Sequence, residues 1–578
     1  MTLHRRGFVR LCLGAGSCLL WPRHAAPASG ETQYQKLLVR YRTDPDRIAR
    51  ALPPALSADR SGEAWFECVR IIPESAGPFF EGPYLAAGIR LAVEHVSGPG
   101  WFQPVRWTTH EWLRLWEREH LGFNTKRADI DLTVEGASVK ASLDRKGFRL
   151  LRVAALRTDR SVASSGPSAG RDLFCYRYGL APDWQKATAG RSTGIWRIPA
   201  TAAPSDSLIR ACDIESAALQ MPHASPLDPI VEIPALEILA ATYEEGTAEH
   251  VPPGNARKPR FVSGIDASEF QSWNLMRYDR PHTSRRPWQP EDWPDEATAF
   301  RLSGAEIERY RSRREVRLGP VDMLDARLTT TGEIKNDILP PPCRAGFRPA
   351  LRMLVLRVEE SDLSPVPFSE AWLFAFAVVE RERGWYALSH IVSEGGDLTF
   401  GREVLGYPSR LGTPGLSMSF RDFSAHCVRR GRELLNAQGR LRGIPTGTSL
   451  SQIPVLGLRR SAADASASTS GEIVAQPWYF QGRHFSVDRS TVRISFPEPA
   501  DEGSTLDPWF EFNPVRVASV SVMTNVTMQR TPGRVVAPVP DLQPYYRERC
   551  DGAIPGIDSP VNPAVPTFGV VRAPVTRS

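Results

Sequence analysis

The residues best equipped for chemistry lie between His110 and Asp129. His110-Glu111 and Glu117-Arg118-Glu119-His120 bring two imidazoles close to three carboxylates, and Lys126-Arg127-Ala128-Asp129 follows. The spacing is not the H-E-x-x-H of a zinc helix, whose histidines stand one turn apart on one face. Ten residues of helix would separate His110 from His120 by roughly 15 Å along the axis, too far to share a metal. Surface or packing positions are the expectation for both. Lys126 has two readings, a reactive amine in an enclosed site or an ordinary solvated lysine in a charged run. Eight cysteines are present and none forms a C-x-x-C pair, so a zinc ribbon or thioredoxin-type site is not supported. No P-loop, no G-x-G-x-x-G opening a helix and no G-x-S-x-G elbow stands in a supporting context.

Bulk properties narrow the class. The chain has 578 residues, 42% apolar and 24% charged, with 50 prolines and 44 glycines. The length suits two large domains. The proline and glycine content favours turns and short strands over a helical bundle. A net charge of +6 is mild at this length, and short basic runs such as Arg311-Ser312-Arg313-Arg314 read as solvated surface. No nucleic-acid partner is expected. Beyond the N-terminus no apolar stretch reaches the roughly 18 residues of a membrane helix, so no membrane span is expected.

Residues 1–30 read as a twin-arginine-type signal peptide. Arg5-Arg6-Gly7-Phe8 is followed by an apolar run from Leu11 to Trp21, and Ala26-Pro27-Ala28 offers a small-residue cleavage site. The expected location is periplasmic or secreted. Cys12 and Cys18 leave with the signal, and the six remaining cysteines allow 15 pairings among which sequence does not choose.

The elements that must position any site occur twice. Leu37 to Asp44 leading to Leu52-Pro53-Pro54 is echoed by Leu324 to Thr330 leading to Leu339-Pro340-Pro341. Arg118-Glu119-His120-Leu121-Gly122-Phe123 is echoed by Arg402-Glu403-Val404-Leu405-Gly406-Tyr407, and Leu227-Asp228-Pro229 by Leu506-Asp507-Pro508. The paired blocks are 279 to 287 positions apart, and a near-constant offset over three blocks marks a tandem duplication. Copy one is placed at 31–250, a Pro/Trp/Arg-rich connector with a short helix over 301–315 at 251–317, copy two at 318–535, and a Pro-rich irregular tail at 536–578. Ser161–Gly170 and Ser461–Gly471 read as small-residue loops at matching places. Alternating or continuous apolar runs at Leu351–Val358, Ala371–Val379, Val492–Phe496 and Val515–Val526 predict strands. Asp44 is a predicted N-cap with Pro45 in the first turn and Ile48, Ala49 and Leu52 on one face; Thr330 or Thr331 would be its counterpart. Trp112, Leu115 and Trp116 have helical spacing, and Trp101, Trp107, Trp112 and Trp116 read as core or interface aromatics. The fold class is therefore α+β, mainly antiparallel β, with short helices.

These segments resemble the acetoacetate decarboxylase family. Tyr41-Arg42-Thr43-Asp44 and Leu52-Pro53-Pro54-Ala55-Leu56 match one family segment. Gly401-Arg402-Glu403 followed by Tyr407-Pro408-Ser409-Arg410 matches the central signature, in which an aromatic-Pro pair precedes Lys-Lys. The resemblance implies two tandem cone-like closed barrels, each round a small apolar cavity, and a tendency to oligomerise. It also implies an imine mechanism. A lysine, ordinarily protonated at neutral pH, becomes a nucleophile when burial and a neighbouring cation depress its pKa, and carboxylates orient the substrate and move a proton.

Carried over residue by residue, copy two has Ser409 in place of the reactive lysine and Arg410 in place of its neighbour, with Glu370 and Tyr407 at family site positions. Serine cannot form an imine and arginine stays protonated. In copy one an ungapped reading puts Thr125 at the lysine's place and Lys126 at the neighbour's; one inserted residue instead makes Lys126 the amine and Arg127 its cation. Glu67 matches a further family glutamate, and Ala86 or Ala87 replaces the other, with Glu81 nearby. Three functions remain open: a carbon–carbon lyase acting on a small keto acid through Lys126, a catalytically silent binder of a small carbonyl or carboxylate ligand, and a non-imine enzyme of aldol or hydration type using Glu370, Tyr407 and Arg410. None calls for a cofactor or metal.

Overall fold

The computed structural model describes residues 31–72, 82–118, 122–162, 171–177, 194–199, 208–222, 225, 228–249, 260–264, 305, 315–330, 339–346, 350–364, 366–460, 471–497, 509–512 and 514–539. The signal segment, Glu81, His120, Cys550, Thr331 and almost all of the connector and tail lie outside these residues.

Copy one contains β1 (Glu31–Arg42), α1 (Pro45–Ala51), β2 (Ser57–Ala58), β3 (Glu63–Ile72), β4 (Tyr84–His95), β5 (Gly98–Thr108) and α2 (Glu111–Trp116). It continues with β6 (Thr125–Arg127), β7 (Asp129–Glu135), β8 (Ser138–Arg145), β9 (Phe148–Val162), β10 (Asp172–Arg177), β11 (Gly194–Ile198), β12 (Leu208–Gln220), β13 (Glu237–Glu249) and β14 (Arg260–Gly264). Copy two contains β15 (Val316–Thr330), β16 (Arg344–Ala345), β17 (Ala350–Val358), β18 (Phe368–Val379), β19 (Glu382–Val392) and α3 (Gly395–Phe400), which runs into a π-helical turn at Gly401–Leu405. Then come β20 (Ser409–Leu411), β21 (Thr413–Met418), β22 (Asp422–Arg429), β23 (Arg432–Arg460), β24 (Gly471–Ser495), β25 (Pro514–Arg530) and β26 (Arg534–Val539). Three short α-helices among the described residues stand against two sheets of 14 and 12 strands.

The duplication is structural. The order β5-β4-β3-β1-β13-β12-β9-β8-β7 recurs as β19-β18-β17-β15-β25-β24-β23-β22-β21. The hairpin loops Lys146-Gly147 and Arg430-Gly431 both carry positive φ, the two-residue turn whose twist suits paired antiparallel strands. After α2 and α3 the chain reverses through Gly122 and Gly406, at φ 77° and 75°, which explains the recurrence of Leu-Gly-aromatic. The first sheet extends into the connector through β14, and β26 carries the second sheet past residue 535 by pairing with β24. The two small-residue loops do not match in place, since the first falls between β9 and β10 and the second joins β23 to β24.

The sheets curl strongly, but the expected closed barrels are corrected. Trp372 on β18 and Trp478 on β24 have three strands between them in the sheet order, which in a flat sheet means about 19 Å at 4.8 Å per strand. Their ring centroids are 5.0 Å apart, so this face is concave. Among the described residues the rims meet only where Trp385 and Tyr386 pair with Val455 and Leu456. Closure stops there because the same edge of β19 also receives β20, at His390 to Val392. In copy one β5 divides its edge likewise between β6 and β10.

Asp44 caps α1 by accepting from the Asp46 N–H at 2.9 Å. Ile48, Ala51 and Leu52 form the helix's buried face and Ala49 is exposed, so the face turns one step from the predicted one. Trp101 and Trp107 are buried on opposite faces of β5, in different apolar clusters. One core cluster runs through both copies, from Trp107 and Leu115 to Leu398, Val404 and Leu411. The five described cysteines are thiols and all are buried. No helix among the described residues is long and apolar enough to cross a membrane.

Candidate functional site

Two short strands decide which side chains reach the concave faces. β6 lies parallel to β5 and β20 parallel to β19, with Thr125 beside Arg106 and Ser409 beside His390. Strand side chains alternate, so the next residues, Lys126 and Arg410, point to the opposite face. The contacts agree. Thr125 donates to Glu117 Oε2 at 2.7 Å, and Ser409 Oγ lies 2.7 Å from His390 Nδ1. Lys126 Nζ lies 2.9 Å from Asp228 Oδ1, and Arg145 Nη1 reaches Asp228 Oδ2 at 2.7 Å. Lys126 is buried, yet a carboxylate grips it and favours its charged form. A nucleophilic amine needs the reverse.

On the inner face of copy one, charges fill the site. Arg106 Nε pairs with Glu117 at 2.9 Å, and Arg106 and Arg90 approach Glu67 at 3.6 and 3.7 Å. All four side chains are almost wholly buried. The Glu67 oxygens are within ion-pair range but accept no hydrogen bond. Lys36 and Glu244 form a further buried pair. Ala86 stands in register with Thr108 as Glu370 does with Val392, so Ala86 is the residue that replaces the family glutamate.

Copy two presents aromatic rings around a small polar chain. His390 stacks on Trp372 at 3.5 Å and 10°. Its Nε2 is 3.9 Å from Glu370 Oε1, while Glu370 Oε2 accepts from Trp372 Nε1 at 2.7 Å and from Arg530 Nη2 at 2.5 Å. Burial pushes the His390 pKa down to about 3, with Glu370 raising it and Arg530 lowering it to lesser degrees, so the imidazole is neutral at ordinary pH. Tyr407 donates to Gln476 Oε1, which also accepts from Trp478 Nε1 at 2.6 Å. A neutral imidazole beside a hydroxyl can orient it and relay a proton transiently, though a pKa of about 3 makes it a weak base. It offers no amine.

The six residues singled out from the sequence thus separate into four places. Glu370 and Tyr407 share the concave face of copy two, and Glu67 lies in the charged network of copy one. Lys126 and Arg127 line a cavity between the copies, together with Arg114, Arg145 and Glu394. Arg410 points away from Glu370. Sequence reading missed His390, Arg530 and Arg106, which belong to no motif and gain meaning only from cross-strand register, and it singled out Glu117 without seeing that it pairs with Arg106. It noted Asp228 as part of a repeated block without seeing that the block supplies the counterion of Lys126. His110 is the N-cap of α2, accepting from the Leu113 N–H at 3.3 Å.

The acetoacetate decarboxylase family model matches twice, over residues 21–251 and 307–537. The chain belongs to the acetoacetate decarboxylase family. Solved structures similar to it include an acetoacetate decarboxylase from Legionella pneumophila, 15% identical over 39% of this chain and 88% of the other, with TM-score 0.34. An acetoacetate decarboxylase-like enzyme from Sphingomonas wittichii RW1 is 18% identical over 43% and 100%, with TM-score 0.31. The enduracididine biosynthesis enzyme MppR, complexed with pyruvate, is 18% identical over 43% and 93%, with TM-score 0.31. No curated protein matches the sequence. Within this family the chain is a tandem form, each copy carrying a hydroxyl residue on the strand that follows the helix turn.

Proposed function

We propose that this is an exported acetoacetate-decarboxylase-family protein that binds a small carbonyl or carboxylate compound and forms no imine with it. One observation carries the reading. Thr125 and Ser409 face inward on β6 and β20, while Lys126 and Arg410 face away and Lys126 Nζ lies 2.9 Å from Asp228 Oδ1. The test is sodium borohydride reduction in the presence of acetoacetate or pyruvate, followed by peptide mass mapping. No lysine is expected to be modified, and reductive trapping at Lys126 would overturn the reading. The Arg5-Arg6 pair supports export, and an Arg5→Lys/Arg6→Lys variant is expected to remain in the cytoplasm on fractionation.

A second reading, a non-imine enzyme in copy two, is favoured by neutral His390 lying 2.7 Å from Ser409. It predicts deuterium exchange at the methyl group of pyruvate in D2O, followed by NMR and abolished in His390→Gln. Exchange no faster than in buffer would remove it.

A further inference from the structure

The two copies meet through like elements, and several hydrogen bonds that shape the junction recur within each copy. Arg118 and Arg402 each donate to the carbonyl of the matching residue, Thr125 and Ser409, at 3.1 Å. Arg145 and Arg429 donate to the carbonyls of Arg127 and Leu411, at 3.2 and 3.1 Å. In one half of the junction, Glu111 at the start of α2 reaches across to copy two. One of its oxygens accepts from the Leu411 N–H, and the other lies 3.4 Å from Arg429 Nη2. The counterpart of Glu111 in α3 is Gly395, which has no side chain to reach back towards Arg127 and Arg145. A second exchange accompanies the first. Where α3 carries the buried Leu398, α2 carries Arg114. One half has a carboxylate beside an apolar residue. The other has lost the carboxylate and gained a guanidinium.

That second half holds a partly open cavity of about 300 Å³, lined by six cationic side chains and two carboxylates. Most of the cations are engaged. Arg118 pairs with Glu403 at 2.7 Å, Lys146 with Glu394 at 3.0 Å, and Lys126 and Arg145 with Asp228. Arg114 differs. It is 2% exposed, and its Nε and Nη2 have no hydrogen-bond partner. Its Nη1 lies 2.7 Å from where a Cβ on Gly395 would stand, so it points into the space vacated by the missing glutamate. Glu111 and Glu394 favour its charge only through space, a buried guanidinium with two nitrogens lacking hydrogen bonds is costly, and a bound carboxylate would reduce that cost by a charge-assisted, two-pronged contact. The volume lies at the lower end for small-molecule sites.

We infer that this cavity binds the carboxylate of a small organic acid, held by Arg114, Arg145 and the Arg127 N–H in the place that Glu111 fills on the other side. The inference rests on the ligand-binding reading above and gives that ligand a location and a charge. Glu394, tied to Lys146, lies at the same cavity and disfavours acids that would bring a second negative group near it. That favours a monoacid of pyruvate or acetoacetate size.

The test is calorimetric titration of the full chain with pyruvate, with methyl pyruvate and inorganic phosphate as comparison probes, in low-salt buffer at neutral pH. Pyruvate is expected to bind, methyl pyruvate to bind at least about tenfold more weakly, and phosphate more weakly than pyruvate. Gly395→Glu supplies the missing carboxylate internally. It is expected to abolish pyruvate binding while keeping or raising Tm, because the atom it meets is the mobile end of Arg114. Should Gly395→Glu fail to fold, Arg114→Gln carries the test, with an expected loss of at least about tenfold in affinity, the range of one hydrogen bond to a charged group. Pyruvate affinity unchanged in the folded variant overturns the cavity assignment and leaves the ligand-binding reading standing. No binding of pyruvate to the wild-type chain overturns both. Phosphate binding tighter than pyruvate overturns the carboxylate assignment.

Discussion

At the scale of single residues, placement in a strand outweighs residue type. Lys126 has the chemistry of a nucleophile, but its neighbour Thr125 takes the inward position, and alternation sends the amine to Asp228. His390 has no motif to mark it, yet burial holds its pKa at about 3 against an ordinary 6.5. Unfolded imidazole takes up a proton below about 6.5, whereas the folded one stays neutral until about pH 3. Between those values the unfolded chain binds the extra proton, so stability is present above 6.5 and is lost as pH falls toward 3. Thermal melts from pH 7 to 4.5 should therefore show a steeper fall of Tm in the wild type than in His390→Gln. Equal slopes would mean that His390 is not buried neutral.

At the scale of elements, two local devices carry testable weight. Asp44 caps α1 through the Asp46 N–H, and Asp44→Ala should cost about 1 kcal/mol, read as a shift in the urea midpoint with the m-value unchanged. Gly406 is more demanding. It sits at φ 75°, and a Cβ there would stand 2.4 Å from the Leu458 carbonyl carbon, which is rigid backbone of β23. Gly406→Ala should cost about 1–3 kcal/mol from backbone strain and more from the clash, seen as a lowered Tm. The cap was legible in sequence because it depends on residues a few positions apart, whereas the Leu-Gly-aromatic segment was legible only as a repeated block, and its turn came from the structure. The buried face of α1 was legible only to within one step, because what the helix packs against is not local.

At the scale of the whole molecule, the copies are joined by a shared apolar core and by ion pairs that cross the junction. Arg118 is 1% exposed and its cross-copy partner is Glu403. Glu403→Ala removes that pair and leaves Arg118 its bond to the Thr125 carbonyl, and the loss should be on the order of 1–3 kcal/mol. Calorimetry should show one unfolding transition shifted down as a unit. A transition split into two would mean that the copies fold independently. The same junction is asymmetric. Glu111 closes one half, while Gly395 leaves the other half open with Arg114 inside it.

Read alone, the sequence determined that the chain is duplicated, that it is built mainly of strands, that its helices are short, and that Ser409 breaks the imine signature. Each follows from spacing, from composition or from residue identity at a motif position. Only the tertiary structure decided that Lys126 faces away, that His390 bridges towards Ser409, that the sheets curl without closing, and that a cavity lies between the copies. Those depend on which face of a sheet becomes concave and on what stands opposite after residues hundreds of positions apart have packed. Periodicity reports that two faces exist and is silent on which one encloses a site.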